Sequence, residues 1–283
     1  MVQKIVHIAD VHIKNYQRLN EFSEAVDTLV GMLDKTFEGI EYNDRLIVIA
    51  GDTVHQKNTV SNELYVFVAK FFRRLEEKAP VLVISGNHDL IVGNDSRVDT
   101  LTGIFETACF DNTRFIDMEL GYKSGIYHYK NIEFNLYSIW QDYVEPDPTN
   151  IKEVNPETVT HRIGLFHGPI VGSKLSNGSL IDSGLSLDAF NAVPIVMAGD
   201  IHKRQTLYYN NGNGVFVYPG SLIQQNLGES VNGHGFATWD LFKDGTYTLK
   251  NDIELPTSYA MYKMKIDSID DIDNDNIKVL NLN

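Results

Sequence analysis

The chain has 283 residues, 43% hydrophobic and 22% charged, a balance that suits a globular protein with a sizeable core and excludes a disordered or fibrous one. No apolar run approaches the roughly 18 residues of a membrane span, and Met1 leads straight into the first apolar stretch without a signal-peptide pattern, so the expectation is a cytoplasmic protein with no membrane contact. The net charge of −14, from 24 Lys and Arg against 38 Asp and Glu, speaks against holding nucleic acid by bulk electrostatics. Cys109 is the single cysteine, which excludes an intrachain disulfide and a thiolate cluster; it reads as a buried small hydrophobe in a helix, and any metal must take nitrogen and oxygen ligands.

The first strand, Ile5-Val-His-Ile-Ala, ends at Asp10-x-His12. Phe22, Ala25, Val26, Leu29, Val30 and Leu33 then recur at helical spacing and predict a crossover helix over about 19–37. It returns the chain to Leu46-Ile-Val-Ile-Ala50, an apolar run without alternation, as in a strand buried on both faces of a parallel sheet. That run stops abruptly at Gly51-Asp52-Thr-Val-His55. A polar turn over 58–61 offers an N-cap for a second helix, marked by Leu64, Val66, Phe67, Ala69, Phe72 and Leu75 and followed by Pro80. The third strand, 81–85, ends in Gly86-Asn87-His88-Asp89. Two successive β-α-β units imply right-handed crossovers and a parallel core.

A third helix is expected over 96–110. Thr113-Arg-Phe-Ile, Tyr127-His-Tyr and Ile132-Glu-Phe-Asn-Leu-Tyr alternate like half-buried antiparallel strands, and 142–157, with Pro146, Pro148 and Pro156, reads as a loop. Strand 163–167 closes on His167-Gly168, and the Ser- and Gly-rich stretch 172–184 reads as a mobile loop near the strand ends. A short helix around 187–191 leads to strand 195–199 and Asp200-Ile-His202. Hairpin strands around Thr206-Leu-Tyr-Tyr, Val215-Phe-Val-Tyr, Gly235-Phe-Ala-Thr-Trp and Tyr247-Thr-Leu carry the chain to residue 252. The fold class is α/β, two packed mixed sheets flanked by helices. From 253 the character changes: Tyr259-Ala-Met-Tyr-Lys-Met-Lys-Ile alternates as a strand before an acidic stretch over 267–275, as in the opening of a further small domain.

Five buried-strand runs thus deliver Asp10, His12, Asp52, Asn87, His88, His167, Asp200 and His202 to strand ends, where open α/β sheets place their chemistry. Two divalent ions need about three or four nitrogen or oxygen ligands each and a shared bridge, and the central Asp52 suits the bridge. Asp10, His12 and His202 complete one ion; Asn87, His167 and Asp200 complete the other. Singly, each residue has a blander reading. A lone Asp-x-His is more often a cap or surface turn, and a lone His on an apolar strand is more often a satisfied core residue, which is the reading kept for His7. His128, His161 and His234 lack the strand-end context and read as surface or loop residues. Five such tips in succession are poorly explained by chance.

Asp10-x-His12, Gly51-Asp52, Gly86-Asn87-His88-Asp89, His167 and Gly199-x-x-His202 resemble the motif set of the calcineurin-like metallophosphoesterases. The extensions through His55, Lys203-Arg204-Gln205, Tyr218-Pro-Gly-Ser221, Gly228-Glu229 and Gly235-Phe236 are similar to the SbcD-type DNA nucleases, including the recombination endonuclease subunits of tailed phages, over about residues 1–240. The resemblance implies a four-layer sandwich and a dimetal phosphodiesterase that usually works with Mn²⁺, Mg²⁺ being the alternative. It implies metal-hydroxide attack on phosphorus in line, without a covalent enzyme intermediate. His88 takes the place of the family's catalytic histidine, which protonates or stabilises the leaving oxygen; Asp89 would orient and charge it, and His55 matches a second histidine near the scissile phosphate. Lys203 and Arg204 would meet the DNA backbone, with a solvated basic turn nearly as good a reading. The implied role is a DNA exo/endonuclease subunit in recombination and double-strand-break processing, in the cytoplasm of a bacterium or phage-infected host. Its partner would be an SMC-like ABC ATPase of the SbcC type, and it would dimerise through the second and third helices.

One departure stands out: the family reads Gly-His-x-His where this chain has Gly199-Asp200-Ile201-His202. As a ligand, Asp200 makes a third carboxylate in the site and should favour hard ions, Mn²⁺ or Mg²⁺, over Zn²⁺; as a residue behind the ligands, it leaves one ion weakly held. A phosphatase acting on small molecules or proteins is the competing function, and the acidic charge speaks for it. Residues 1–252 are expected to form the nuclease domain and 253–283 the start of a cap domain, so that either the sequence is cut short at Asn283 or partner binding is reduced.

Overall fold

In the computed structural model, residues 1–57, 59–91, 93 and 97–262 are described. Because β2 (Arg45–Ala50) carries apolar side chains on both faces, it can be covered on both, and it lies inside a six-stranded sheet. Its parallel neighbours are β1 (Lys4–Ile8) and β3 (Val81–Ile84), with β4 (Thr113–Phe115) beyond β3. On the other side of β1 the antiparallel strands β12 (Gly235–Leu241) and β13 (Tyr247–Glu254) complete the sheet. The helices α1 (Leu19–Thr36), α2 (Asn62–Glu76) and α3 (Thr100–Ala108) bury Phe22, Leu29, Phe71, Phe72 and Ile104 against Ile47 and Ile49 on its outer face. A single turn of helix, α4 (Ile116–Glu119), follows β4.

The second sheet has seven strands. β6 (Ile132–Tyr137), β8 (His161–His167), β9 (Ile195–Gly199) and β11 (Gly214–Tyr218) run parallel, flanked by β5 (Gly125–Tyr129) and β7 (Asp147–Val154) on one edge and β10 (Gln205–Tyr209) on the other. Leu46, Val48 and Ala50 from β2 meet Phe134, Leu165 and Met197 in the dry layer between the sheets, with Trp239 fully buried among them. The alternation of β2 side chains between this layer and the helices is why its five-residue run shows no polar break. Phe166, Phe190 and Phe216 form a third cluster on the far face of the second sheet, beneath the connection from β8 to β9. No helix among the described residues is long and apolar enough to cross a membrane.

The α2 cap is Ser61, whose hydroxyl accepts from the Leu64 amide at 3.1 Å, a contact worth about 1 kcal/mol. The third helix is shorter than the spacing predicts: Asp99 caps it by accepting from the Thr102 amide at 2.8 Å, while Ser96 and Asn58 lie outside the described residues. Cys109 is exposed, not buried, because it ends α3 in a left-handed conformation (φ 47°) that turns it out of the helix's apolar face. The expected loop over 142–157 contains β7. Seven of its eight residues face solvent at least in part and its pairing slips around Pro148, so no alternation marks it, and an edge position tolerates the proline.

The boundary drawn after 252 falls inside β13, where Ile253 pairs with Phe236, and Leu255 is buried in the helix-side core. Residues 259–262 form no strand, and the remainder of the expected cap, 263–283, lies outside the described residues.

Candidate metal centre

β1, β2 and β3 of one sheet and β8 and β9 of the other end at a common edge. The turn after β1 pairs with the turn after β2, Asp10 N–H donating to the Gly51 carbonyl (3.2 Å) and His12 N–H to the Asp52 carbonyl (2.9 Å). To leave their strands this sharply, Asp10 (φ 53°), His12 (φ 51°), Asp52 (φ 54°) and Asp200 (φ 93°) take left-handed backbone conformations. Asp and His enter that region more readily than most residues, and such strain gathers at functional sites. Gly86 has no alternative: a Cβ there would sit 2.2 Å from Asp52 Oδ1.

The side chains sort into two sets around Asp52. In the first, His12 Nε2 and His202 Nε2 lie 2.9 Å apart, each 3.9 Å from Asp10 Oδ1, and Asp52 Oδ2 is 3.3 Å from His12 Nε2. In the second, His167 Nε2 lies 3.4 Å from Asp52 Oδ1 and 4.0 Å from Asp200 Oδ1. The two oxygens of Asp52 thus face different ligand sets. Asp10 also approaches the second set, and its carboxylate accepts the Asp200 amide at 3.0 and 3.2 Å.

Each ring is turned from behind. His167 Nδ1–H donates to the Ala50 carbonyl at 2.7 Å, so its proton resides on Nδ1, and the buried Nε2 has no hydrogen-bond partner among the described residues. His202 Nδ1 meets Glu229 Oε1 at 2.7 Å. Glu229 is nearly fully buried and also accepts from the Gln225 amide (2.8 Å) and the Asn226 side chain (2.6 Å). Asn87 Oδ1 is buried with no partner among the described residues.

Burial opposes ionisation of Asp52, but the imidazoles of His167, His12 and His88 outweigh it and hold the carboxyl below the usual range. Burial pushes Asp10 up to about 7, with Asp52 and Asp200 adding to the shift against His202 and His167, and burial likewise raises Asp200. Asp10 and Asp200, whose burial raises their hold on protons, and His167, whose hold on a proton the Asp52 carboxylate raises against the cost of burial, make with the unpartnered Asn87 Oδ1 a donor set that divalent cations in the protons' place would stabilise. The groups Asp10, His12, His202 and Asp10, Asp52, His167 each bring their donor atoms within 4.8 Å of one another and could hold metal ions.

His55 and His88 stand over this cluster with their rings stacked, centroids 5.0 Å apart, and His12 Nδ1 lies 3.3 Å from His55 Nδ1. His88 Nδ1–H donates to the His55 carbonyl at 2.7 Å, which leaves Nε2 on the opposite edge of the ring, and its amide donates to Asp52 Oδ1 at 2.8 Å. Asp89 does not orient His88 as expected. Its buried carboxylate accepts from the amides of Val54 (2.9 Å), Gly86 (2.9 Å) and Thr53 (3.3 Å), tying the β2 and β3 turns together. Burial and the neighbouring Asp52 push it up to about 8. Among the described residues its hydrogen bonds go to these three amides, and the His88 ring bonds the His55 carbonyl instead.

Arg204 is likewise engaged structurally, donating to the carbonyls of Pro219 (3.1 Å) and Ile253 (2.8 Å), whereas Lys203 lines a cleft beside His202 and Glu229. The 172–184 segment does reach the site: Leu175, Ser176 and Asn177 face Asp200 and His202 across a cleft of about 320 Å³. His7 is fully buried in the core, where neither ring nitrogen makes a close hydrogen bond among the described residues, and burial lowers its pKa to about 3 against a raising contribution from the Ala198 backbone. His161 and His234 are buried rather than superficial, bonded to the Thr246 carbonyl (3.0 Å) and to Ser221 Oγ (2.9 Å). Glu229 is the functional candidate that sequence reasoning did not single out. It stood only inside the Gly228-Glu229 motif, and nothing in its neighbours signals a reach of 27 residues back to His202.

Residues 3–204 match the family model described as calcineurin-like phosphoesterase. The chain is 35% identical over 269 residues to the uncharacterised protein R555 of Acanthamoeba polyphaga mimivirus, which covers 94% of this chain and 19% of that protein. It is 23% identical over 269 residues to the DNA double-strand break repair protein Mre11 of Methanococcus maripaludis, covering 85% of this chain and 64% of the relative. An 86-residue stretch is 31% identical to Mre11 of Archaeoglobus fulgidus, covering 30% of this chain and 19% of that one. The chain therefore spans about a fifth of the viral relative and just under two thirds of the Methanococcus one.

Proposed function

Because the chain belongs to the calcineurin-like phosphoesterase family, we propose that its paired ligand sets hydrolyse DNA phosphodiester bonds, as an exo/endonuclease. The observation that carries the phosphodiesterase chemistry is Asp52, whose two oxygens lie 3.3 and 3.4 Å from imidazole nitrogens of opposite sets. The choice of DNA is supported by the similarity to two proteins named for double-strand break repair.

Asp10, His12, Asp52 and His202 would hold one divalent ion, and Asp52, Asn87, His167 and Asp200 the other; when bound, the pair supplies Lewis-acid stabilisation of the phosphoryl oxygens and a more acidic water. His88, whose Nδ1–H is held by the His55 carbonyl, would as the doubly protonated imidazolium give the Nε2 proton to the leaving oxygen and return to the neutral Nδ1–H ring. His55, stacked on His88, closes that side of the site. Mn²⁺ is the ion we assign first, since the second set is oxygen-rich. The reading includes an SMC-like ATPase partner, which would supply the basic grip on DNA that a chain of charge −14 lacks.

The test is degradation of end-labelled single- and double-stranded DNA with Mn²⁺, Mg²⁺ or no metal, alongside a generic phosphodiester dye. Metal-dependent cutting that falls by about 10²–10⁴ in His88→Asn, with bound metal retained, is the expected result. Dye turnover with DNA left intact, in the presence and absence of an ATPase partner, would move the substrate to the phosphatase reading that the negative charge favours.

A further inference from the structure

Trp140 has no part in the chemistry above, yet it is built into the same lip of the fold. It lies in the short turn Ile139–Gln141 after β6, and its indole N–H donates to Ser85 Oγ at 3.0 Å. Ser85 immediately precedes Gly86-Asn87-His88, so the indole anchor is two residues from a metal-ligand candidate, at most about 7 Å of backbone. Buried Asp117 fastens the arrangement, accepting the Ser85 amide at 2.8 Å and the Ser138 hydroxyl at 2.7 Å. Beside Trp140 opens a cavity of about 450 Å³, walled by Tyr122, with exposed Arg97 and Lys123 at its rim.

The chemistry of this cavity is specific. The Tyr122 and Trp140 rings meet edge to face, centroids 4.9 Å apart, and both polar atoms point into the protein, Tyr122 Oη bonding Thr102 Oγ1 at 2.7 Å. With both polar atoms engaged elsewhere, the two rings offer aromatic carbon to an occupant of the cavity. Asp99, the one acid in the lining, is committed to the α3 N-terminus through the Thr102 amide, so its charge is partly compensated. Two cations beside an aromatic pair, in a chain otherwise so acidic, complement a flat ring that carries phosphates on either side.

We propose that this cavity is a nucleobase subsite. One unpaired base of the DNA strand stacks against Trp140 and Tyr122 while Arg97 and Lys123 meet the adjoining phosphates, and the neighbouring phosphodiester is set over Asp52. This rests on the nuclease reading and deepens it. Since a base must leave its stack to enter, single strands and frayed ends are preferred over closed duplex.

The experiment uses the whole chain with EDTA present, so that strands stay intact, and short single-stranded oligonucleotides carrying one abasic residue at successive positions. The chain has two tryptophans, and Trp239 is fully buried, so quenching of emission on binding reports Trp140. The expected result is quenching with the intact strand and, at one or two abasic positions, both loss of quenching and about tenfold weaker binding. Trp140→Ala should erase the position dependence, and Trp140→Phe, which keeps a stacking ring, should retain it. Equal binding at every abasic position, or a Trp140→Ala protein that still distinguishes them, overturns the subsite alone. Absence of any oligonucleotide binding by the unaltered protein overturns the subsite, while the nuclease reading stands or falls separately on the metal-dependent cutting of DNA described above.

Discussion

The two clusters of candidate ligands that meet at Asp52 are made differently. The first pairs two imidazoles with Asp10, and its His202 is turned by a carboxylate, Glu229, carried on a loop between β11 and β12. The second has one imidazole among oxygens, and its His167 is turned by the main-chain carbonyl of Ala50 at the end of a core strand. A side chain can be substituted or repacked, whereas a backbone carbonyl in a buried strand cannot move without the sheet. The first set is therefore tunable by mutation from outside the ligand shell, and the second is fixed by the fold itself.

The severest way to break the contrast is to remove what the halves share. Asp52→Ala should empty both sets, so that bound metal falls to background at both positions and hydrolysis of the phosphodiester dye disappears; one ion retained at full affinity would mean that Asp52 is not the bridge. A smaller, one-sided effect is expected from Glu229→Ala, about 10–100-fold weaker binding of one ion with the other little changed, read by calorimetric titration of Mn²⁺. Equal weakening of both ions would show that Glu229 supports the loop and not His202. The mildest change is Asp200→His, which restores a nitrogen to the oxygen-rich half. It should raise the affinity for Zn²⁺ relative to Mn²⁺, and unchanged relative affinities would place Asp200 behind the ligands.

Much of this was legible because buried parallel strands announce themselves. The runs ending at Asp52, Asn87 and His167 are apolar on both faces for the plain reason that both faces are covered, and a polar residue at the end of such a run has few places to go but the sheet edge. Edge strand β7 was illegible for the opposite reason: with solvent on most of its length, nothing constrains its pattern. Cys109 and His161 were misread because exposure at a helix end or a strand start turns on the local backbone direction, which composition does not carry.

The sequence by itself determined the residue types at five strand ends and hence the donor atoms available, since chemistry and spacing are both local properties. Only the tertiary structure decided what each donor is used for. Asp89 sits next to His88 in the chain yet is turned down into three backbone amides, while Glu229, 27 residues from His202, is the group that turns its ring. Neighbours in sequence diverge at a strand end because the backbone turns there through left-handed conformations, and distant residues meet because two sheets must pack on one core.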